Sequence, residues 1–200
     1  MKKYLIIGIA SLIAIVGVMF LNSEETSTAL PITEEPQPET PIYKGQAISF
    51  LGDDSIINDL PKDAVDKRRQ LLADLSIKLK ENPLDFEGWM TVGFIKKFFN
   101  NYEGARDALE YAKYSGVNNA LPYLNLGNLY GYYLKDFKKA EGNFLAAVDR
   151  DPLESFATRY NLAGFYRDFG MKEKALRYFK EALGFNPDNE SIKAEIERLK

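Results

Sequence analysis

The sequence predicts an all-α protein: an α-solenoid of stacked helix-turn-helix pairs, preceded by a transmembrane helix and a disordered linker. Three observations carry this reading. An uncharged apolar run, YLIIGIASLIAIVGVMFL, extends from Tyr4 to Leu21. A stretch rich in proline and glutamate follows it. From Trp89 onward, small and bulky residues recur at helical spacing, and the pattern returns three times with a period of 34 to 36 residues. A fixed period of that size marks a repeat architecture.

The first element, residues 1–21, is two cytoplasmic lysines and a signal-anchor helix. As a helix, Tyr4–Leu21 would reach about 27 Å, close to a hydrocarbon core of about 30 Å. Lys2 and Lys3 precede it, and Glu24 and Glu25 follow. The basic flank is expected inside and everything after Leu21 outside, a single pass of the cytoplasmic membrane. Secretion after signal cleavage is the alternative. Bulky Met19, Phe20 and Leu21 stand where a cleavage site wants small residues, which favours the anchor. Ala10 and Ala14 form a small-xxx-small pair, read as ordinary lipid-facing residues.

The second element, residues 22–46, holds four prolines, many Glu and Thr, and few large apolar groups. Such a segment buries too little surface to offset the entropy of ordering it. It reads as an acidic spacer, and Pro36–Pro41 as a weak peptide-ligand alternative. Residues 47–85 form a lead-in. AISFLGDD is either a short strand or irregular packing, and DSIINDLPKD a short helix ending before Pro61. VDKRRQLLADLSIKLKENP then sets Val65, Leu71, Leu72, Leu75 and Leu79 on one helical stripe, with Pro83 past its end.

Residues 86–189 carry the repeats. Trp89, Val92 and Gly93 are followed by Ala105, Leu109 and Ala112. Their counterparts are Tyr123, Leu126, Gly127, Ala140, Phe144 and Ala147, then Leu162, Ala163, Tyr166, Ala175, Phe179, Ala182 and Pro187. The small residues let paired helix axes approach to about 8–10 Å, and the bulky ones fill the gaps between pairs. One pair cannot bury its own apolar face, so the stack needs neighbours and capping elements. Residues 190–200 suit a C-terminal capping helix, with Ile192, Ile196 and Leu199 on one stripe and Asp188 or Asn189 as N-cap.

The pattern W-x2-L-G-x2-Y, then A-x3-F-x2-A and a closing proline, resembles the tetratricopeptide repeat, in three copies: Phe86–Asn119, Ala120–Ser155 and Phe156–Asn189. The departures are Lys96 where Tyr is usual, SGVNN in place of the first closing proline, Leu134-Lys135 where a single turn glycine is usual, and Arg159 where Trp or Tyr is common. The resemblance implies a right-handed superhelix whose concave side, lined by the first helices, binds a partner protein or peptide. The lining positions it implies are Met90, Phe94, Lys97 and Phe98, then Leu124, Asn128, Gly131 and Tyr132 with Asn125 alongside, then Tyr160, Gly164, Arg167 and Asp168 with Asn161 alongside. The family's carboxylate-gripping variety places Lys and Asn where this chain has Met90 and Phe94, so such a clamp is not expected. An apolar or aromatic-rich segment, oriented by Asn125, Asn128 and Arg167, is expected instead. Against this, Phe94, Phe98 and Tyr160 also read as packing residues, the asparagines as bonding nearby backbone, and Arg167 as pairing with Asp168 or Glu173.

Composition narrows the functions. Cysteine and histidine are absent, which removes thiolate chemistry, the commonest general base and the commonest metal ligand. No catalytic residues, cofactor or metal are expected. A net charge of −3 gives no electrostatic case for nucleic acid. DKRRQ reads as a solvated basic face, and the GNLYG and GFYRDFG glycines lack the strand context of a phosphate cradle. The expected role is a membrane-tethered scaffold or assembly factor in a bacterial cell envelope, docking another protein. The alternative is a structural protein that forms homodimers or larger oligomers through exposed aromatics.

Overall fold

Asparagine and aspartate side chains mark where most of the helices begin. The computed structural model describes residues 42–52, 54–151 and 155–200, with the side chains of 54–56 left aside. All of these belong to the second of the chain's two units, Thr40–Lys200. The expected span Tyr4–Leu21 and most of the spacer lie outside the described residues. Among the described residues no helix is long and apolar enough to cross a membrane.

The described chain forms nine α-helices and no strand. They are α1 (Asp54–Asp59), α2 (Lys62–Glu81), α3 (Phe86–Phe98), α4 (Tyr102–Ser115), α5 (Ala120–Asn128), α6 (Phe137–Asp149), α7 (Phe156–Asp168), α8 (Lys172–Phe185) and α9 (Glu190–Arg198). Asp85, Asn101, Asp136 and Asn189 each accept a backbone N–H three residues ahead, at 3.0–3.1 Å. These caps satisfy donors that the first helical turn leaves without partners.

Three hairpins, α3–α4, α5–α6 and α7–α8, pack in sequence, with α2 against the first and α9 against the last. The small positions are fully buried: Ala105, Ala140 and Ala175, then Ala112, Ala147 and Ala182. Gly127 shows why they must be small. A Cβ there would lie 2.8–2.9 Å from the Phe144 ring, and one at Gly93 would lie as close to Leu109. Leu109 and Phe144 are equivalent residues of successive hairpins, so the same side-chain-on-glycine contact closes both.

Each hairpin turns on a left-handed residue: Asn100 (φ 55°), Lys135 (φ 58°) and Gly170 (φ 74°). The N–H after it reaches back over the helix end, from Asn101 to the Lys96 carbonyl (2.8 Å), Asp136 to Tyr130 (2.9 Å) and Met171 to Tyr166 (2.8 Å). This satisfies carbonyls that the helix end would otherwise leave bare. The second hairpin is one residue longer there, and its first helix absorbs the surplus. After Asn128 the helix widens into a π turn, Leu129–Tyr133, and the Leu134 N–H bonds the Leu129 carbonyl at 2.9 Å.

The lead-in differs from part of its expectation. AISFLGDD forms no strand; residues 42–52 run as an irregular strap over the first hairpin. Leu71 is 43% exposed rather than on the buried stripe of Val65, Leu72, Leu75 and Leu79. It sits 100° around the helix from Leu72, and the contact face of α2 is narrower than five residues.

Candidate functional site

The departure at Lys96 organises one end of the stack. Tyr130 and Tyr166 occupy the same place in their hairpins, and each donates its hydroxyl backwards. Tyr130 bonds Glu110 on α4 (3.2 Å) and Tyr166 bonds Glu141 on α6 (2.8 Å). Burial is the first cause, and the carboxylate partner the next, of the upward shift of both phenols. Before the first hairpin the strap occupies that place. Lys96, 0% exposed, sends its ammonium to the carbonyls of Ala47 (2.9 Å) and Phe50 (2.8 Å). A phenol carries one proton to donate, while a lysine serves two carbonyls of a bend. Burial pushes the Lys96 amine down from 10.5 to about 8.

Other contacts seat the strap. The Tyr43 ring lies 4.6 Å from Trp89 and 5.8 Å from Tyr111, and the Gln46 N–H donates to Asp107 at 3.1 Å. A cavity of about 580 Å³ lies between the strap, Leu79 and Lys80 of α2, Trp89 and Tyr111. The strap and α2 together stand where the second helix of a preceding hairpin would.

The face of the first helices divides the expected site residues into two groups. Met90 is 2% exposed and belongs to the core, so it offers a partner no surface. Leu124 and Tyr160 pack against the core, with Tyr160 edge-on to Phe179 at 5.5 Å. Gly131 is buried against the Phe165 ring. Each of the expected orienting groups already has a partner inside the chain. Asn125 and Asn128 bond the carbonyls of Leu121 (2.9 Å) and Leu124 (3.0 Å), and Asn161 does the same to Ala157 (2.8 Å). Arg167 pairs with Asp168 (2.8 Å) and Glu195 (2.9 Å) rather than Glu173. Tyr132 donates to Asp168 at 2.8 Å, a bridge between the second and third hairpins.

Three of the residues remain available: Phe94 (44% exposed), Phe98 (51% exposed) and half-buried Lys97. Phe94 and Phe98 lie one turn apart and share a side of α3. The Arg68 guanidinium of α2 sits 5.0 Å over the Phe98 ring, and the Lys97 ammonium 5.0 Å over that of Tyr133. Neither cation has a carboxylate partner among the described residues. Burial pulls the Lys97 amine below its ordinary value. Arg68 and Tyr133 are site members that sequence reasoning missed. The signal for Arg68 was DKRRQ, read as one solvated face, although only one of its two arginines points toward the aromatic strip.

Residues 157–189, spanning α7 and α8, match the family model of the tetratricopeptide repeat. The match covers the third hairpin, and the first two reproduce its turn bond and its buried alanines. Repeats of this family serve in general as protein-binding modules rather than enzymes. No curated protein matches the chain.

Proposed function

We propose that the chain is a membrane-tethered, extracytoplasmic scaffold that docks a segment of another envelope protein along the face of its first helices. The observation that carries the docking is the exposed strip of Phe94 and Phe98, one turn apart on α3 beside Lys97. Exposed aromatics flanked by polar groups are what binding surfaces present. The tether rests on the uncharged run Tyr4–Leu21 with its basic flank, and the bacterial envelope setting on that anchor and the cysteine-free chain behind it. The acidic, proline-rich residues 22–41 would then hold the repeats away from the bilayer.

The test is photocrosslinking of the full chain in cells, with a benzophenone side chain placed at Thr91 or Asn100, beside the strip. A discrete protein adduct that disappears in the Phe94→Ala, Phe98→Ala double variant is the expected result. No adduct, or one that survives the double variant, removes the docking reading. The membrane reading is tested separately: alkaline extraction should leave the chain with the membrane, and release into the supernatant would refute the anchor.

A further inference from the structure

The front of the stack is filled differently from its middle. Between successive hairpins the second helix of one packs on the next, and at Tyr130 and Tyr166 it supplies the carboxylate. Ahead of α3 the strap and α2 share that place and leave a cavity of about 580 Å³. Small-ligand cavities measure roughly 300–1,000 Å³. Leu79, Trp89 and Tyr111, all buried, give it an apolar floor. The strap adds Tyr43 and half-buried Ile48. A packed interior keeps few voids larger than a water, and an apolar one takes up apolar guests.

The strap's carbonyls are already satisfied beside that space. Gln46 accepts from the Tyr43 hydroxyl (3.0 Å), Ala47 from the Phe50 N–H (3.1 Å) and from Lys96, and Phe50 from Lys96. The Trp89 indole N–H is likewise engaged, with the Pro83 carbonyl at 2.8 Å. An extended peptide laid there would find these groups taken, whereas an acyl chain needs none of them. Charge enters through exposed Lys80, which joins the hydroxyls of Ser49 and Ser76 in the lining. All three side chains are donors suited to an anion. We infer that the cavity binds a single-chain acidic amphiphile of the fatty-acid class. Its acyl chain lies on Leu79, Trp89 and Tyr111, and Lys80 meets its anionic head. Phe94, Lys97 and Phe98 are not in the described lining, so this site and the docking strip stand or fall separately.

The test uses the full chain in phosphatidylcholine vesicles. Trp89, the chain's single tryptophan, reports on the cavity it lines. Terminally brominated dodecanoate, below its micelle concentration, should quench Trp89 saturably. Unbrominated dodecanoate should displace it at about fivefold lower concentration than dodecyltrimethylammonium, a gap that narrows as salt rises. Ser76→Phe should fill the cavity and abolish the quenching without lowering the melting temperature. Lys80→Glu should reverse the order of the two competitors, a gain of binding that misfolding cannot produce. No quenching, quenching that survives in Ser76→Phe, or an order unchanged in Lys80→Glu overturns the inference. Quenching by brominated phosphatidylglycerol in the vesicles, but not by the free brominated acid, would assign the effect to bilayer contact and would also overturn it.

Discussion

The ammonium of Lys96 donates to the carbonyl of Phe50 at 2.8 Å, across 46 residues of chain. The same nitrogen holds Ala47. Two carbonyls of an irregular strap are thus satisfied by one side chain from the last turn of α3. In the next two hairpins the equivalent position reaches a helix-borne carboxylate instead.

Lys96→Met should loosen the strap. The ring contacts of Tyr43 remain, but both carbonyls lose their buried donor, at a cost of about 1–2 kcal/mol. Limited proteolysis should cut faster between residues 43 and 52, and the melting temperature should fall. Unchanged cleavage would show that Lys96 does not fasten the strap.

The same amine predicts a pH dependence. Its folded value of about 8 lies below the ordinary 10.5. Between those two values the unfolded chain keeps a proton that the folded chain has released, so stability rises with pH across the window, by on the order of 2 kcal/mol. The buried phenols of Tyr43, Tyr130, Tyr132 and Tyr166 are shifted upward and act in the opposite sense, lowering stability above about pH 10. In denaturant melts across pH 7–10 the stability of wild type should rise relative to that of Lys96→Met, widening the gap between them. A constant difference between them rules the linkage out.

Two glycine substitutions should move stability in opposite directions. Gly127→Ala drives a methyl group into the Phe144 ring and should cost about 1–3 kcal/mol despite alanine's better helix propensity. A Cβ at Gly142, inside α6, would meet nothing within 4 Å beyond its own helix backbone. Gly142→Ala should therefore stabilise by about 0.5–1 kcal/mol. Thermal melts of the two variants decide it, and a shift of the same sign in both would contradict the packing described.

Glu141 accepts from both Tyr166 and Lys174 at 2.8 Å. The Lys174 and Tyr166 bonds, in that order, hold its carboxyl below the usual value near 4.5. Its contribution is present above that value and disappears as pH falls through the lower folded one. Glu141→Gln should destabilise the chain at pH 7, and the effect should shrink as the pH is lowered through the folded value. An effect of constant size down the acid limb of the titration would assign the loss to shape rather than charge.

The helix pairs were legible because their causes are local. Asn189 announces a helix start, and Gly127 with Ala140 and Phe144 announces a close crossing. The strap was not legible, because its partners Lys96 and Asp107 lie some 50–60 residues away and only the fold brings them to Ala47 and Gln46. Lys96 registered as a blemish in a repeat when it is the fastening of a different element. The docking face was half legible. Phe94, Lys97 and Phe98 follow from position on α3, and the local partners of Asn125 and Arg167, the Leu121 carbonyl and Asp168, agree with the packing alternative the sequence offered. The second partner of Arg167, Glu195, was not legible, because it comes from another helix.

Closure of the front of the array by irregular backbone makes growth one-sided. A duplicated hairpin spliced in ahead of α3 would present Tyr or Lys to loop carbonyls shaped for Lys96 alone, whereas one spliced between α8 and α9 would meet ordinary helical surface on both flanks. Anyone wishing to lengthen this protein should therefore build from its tail.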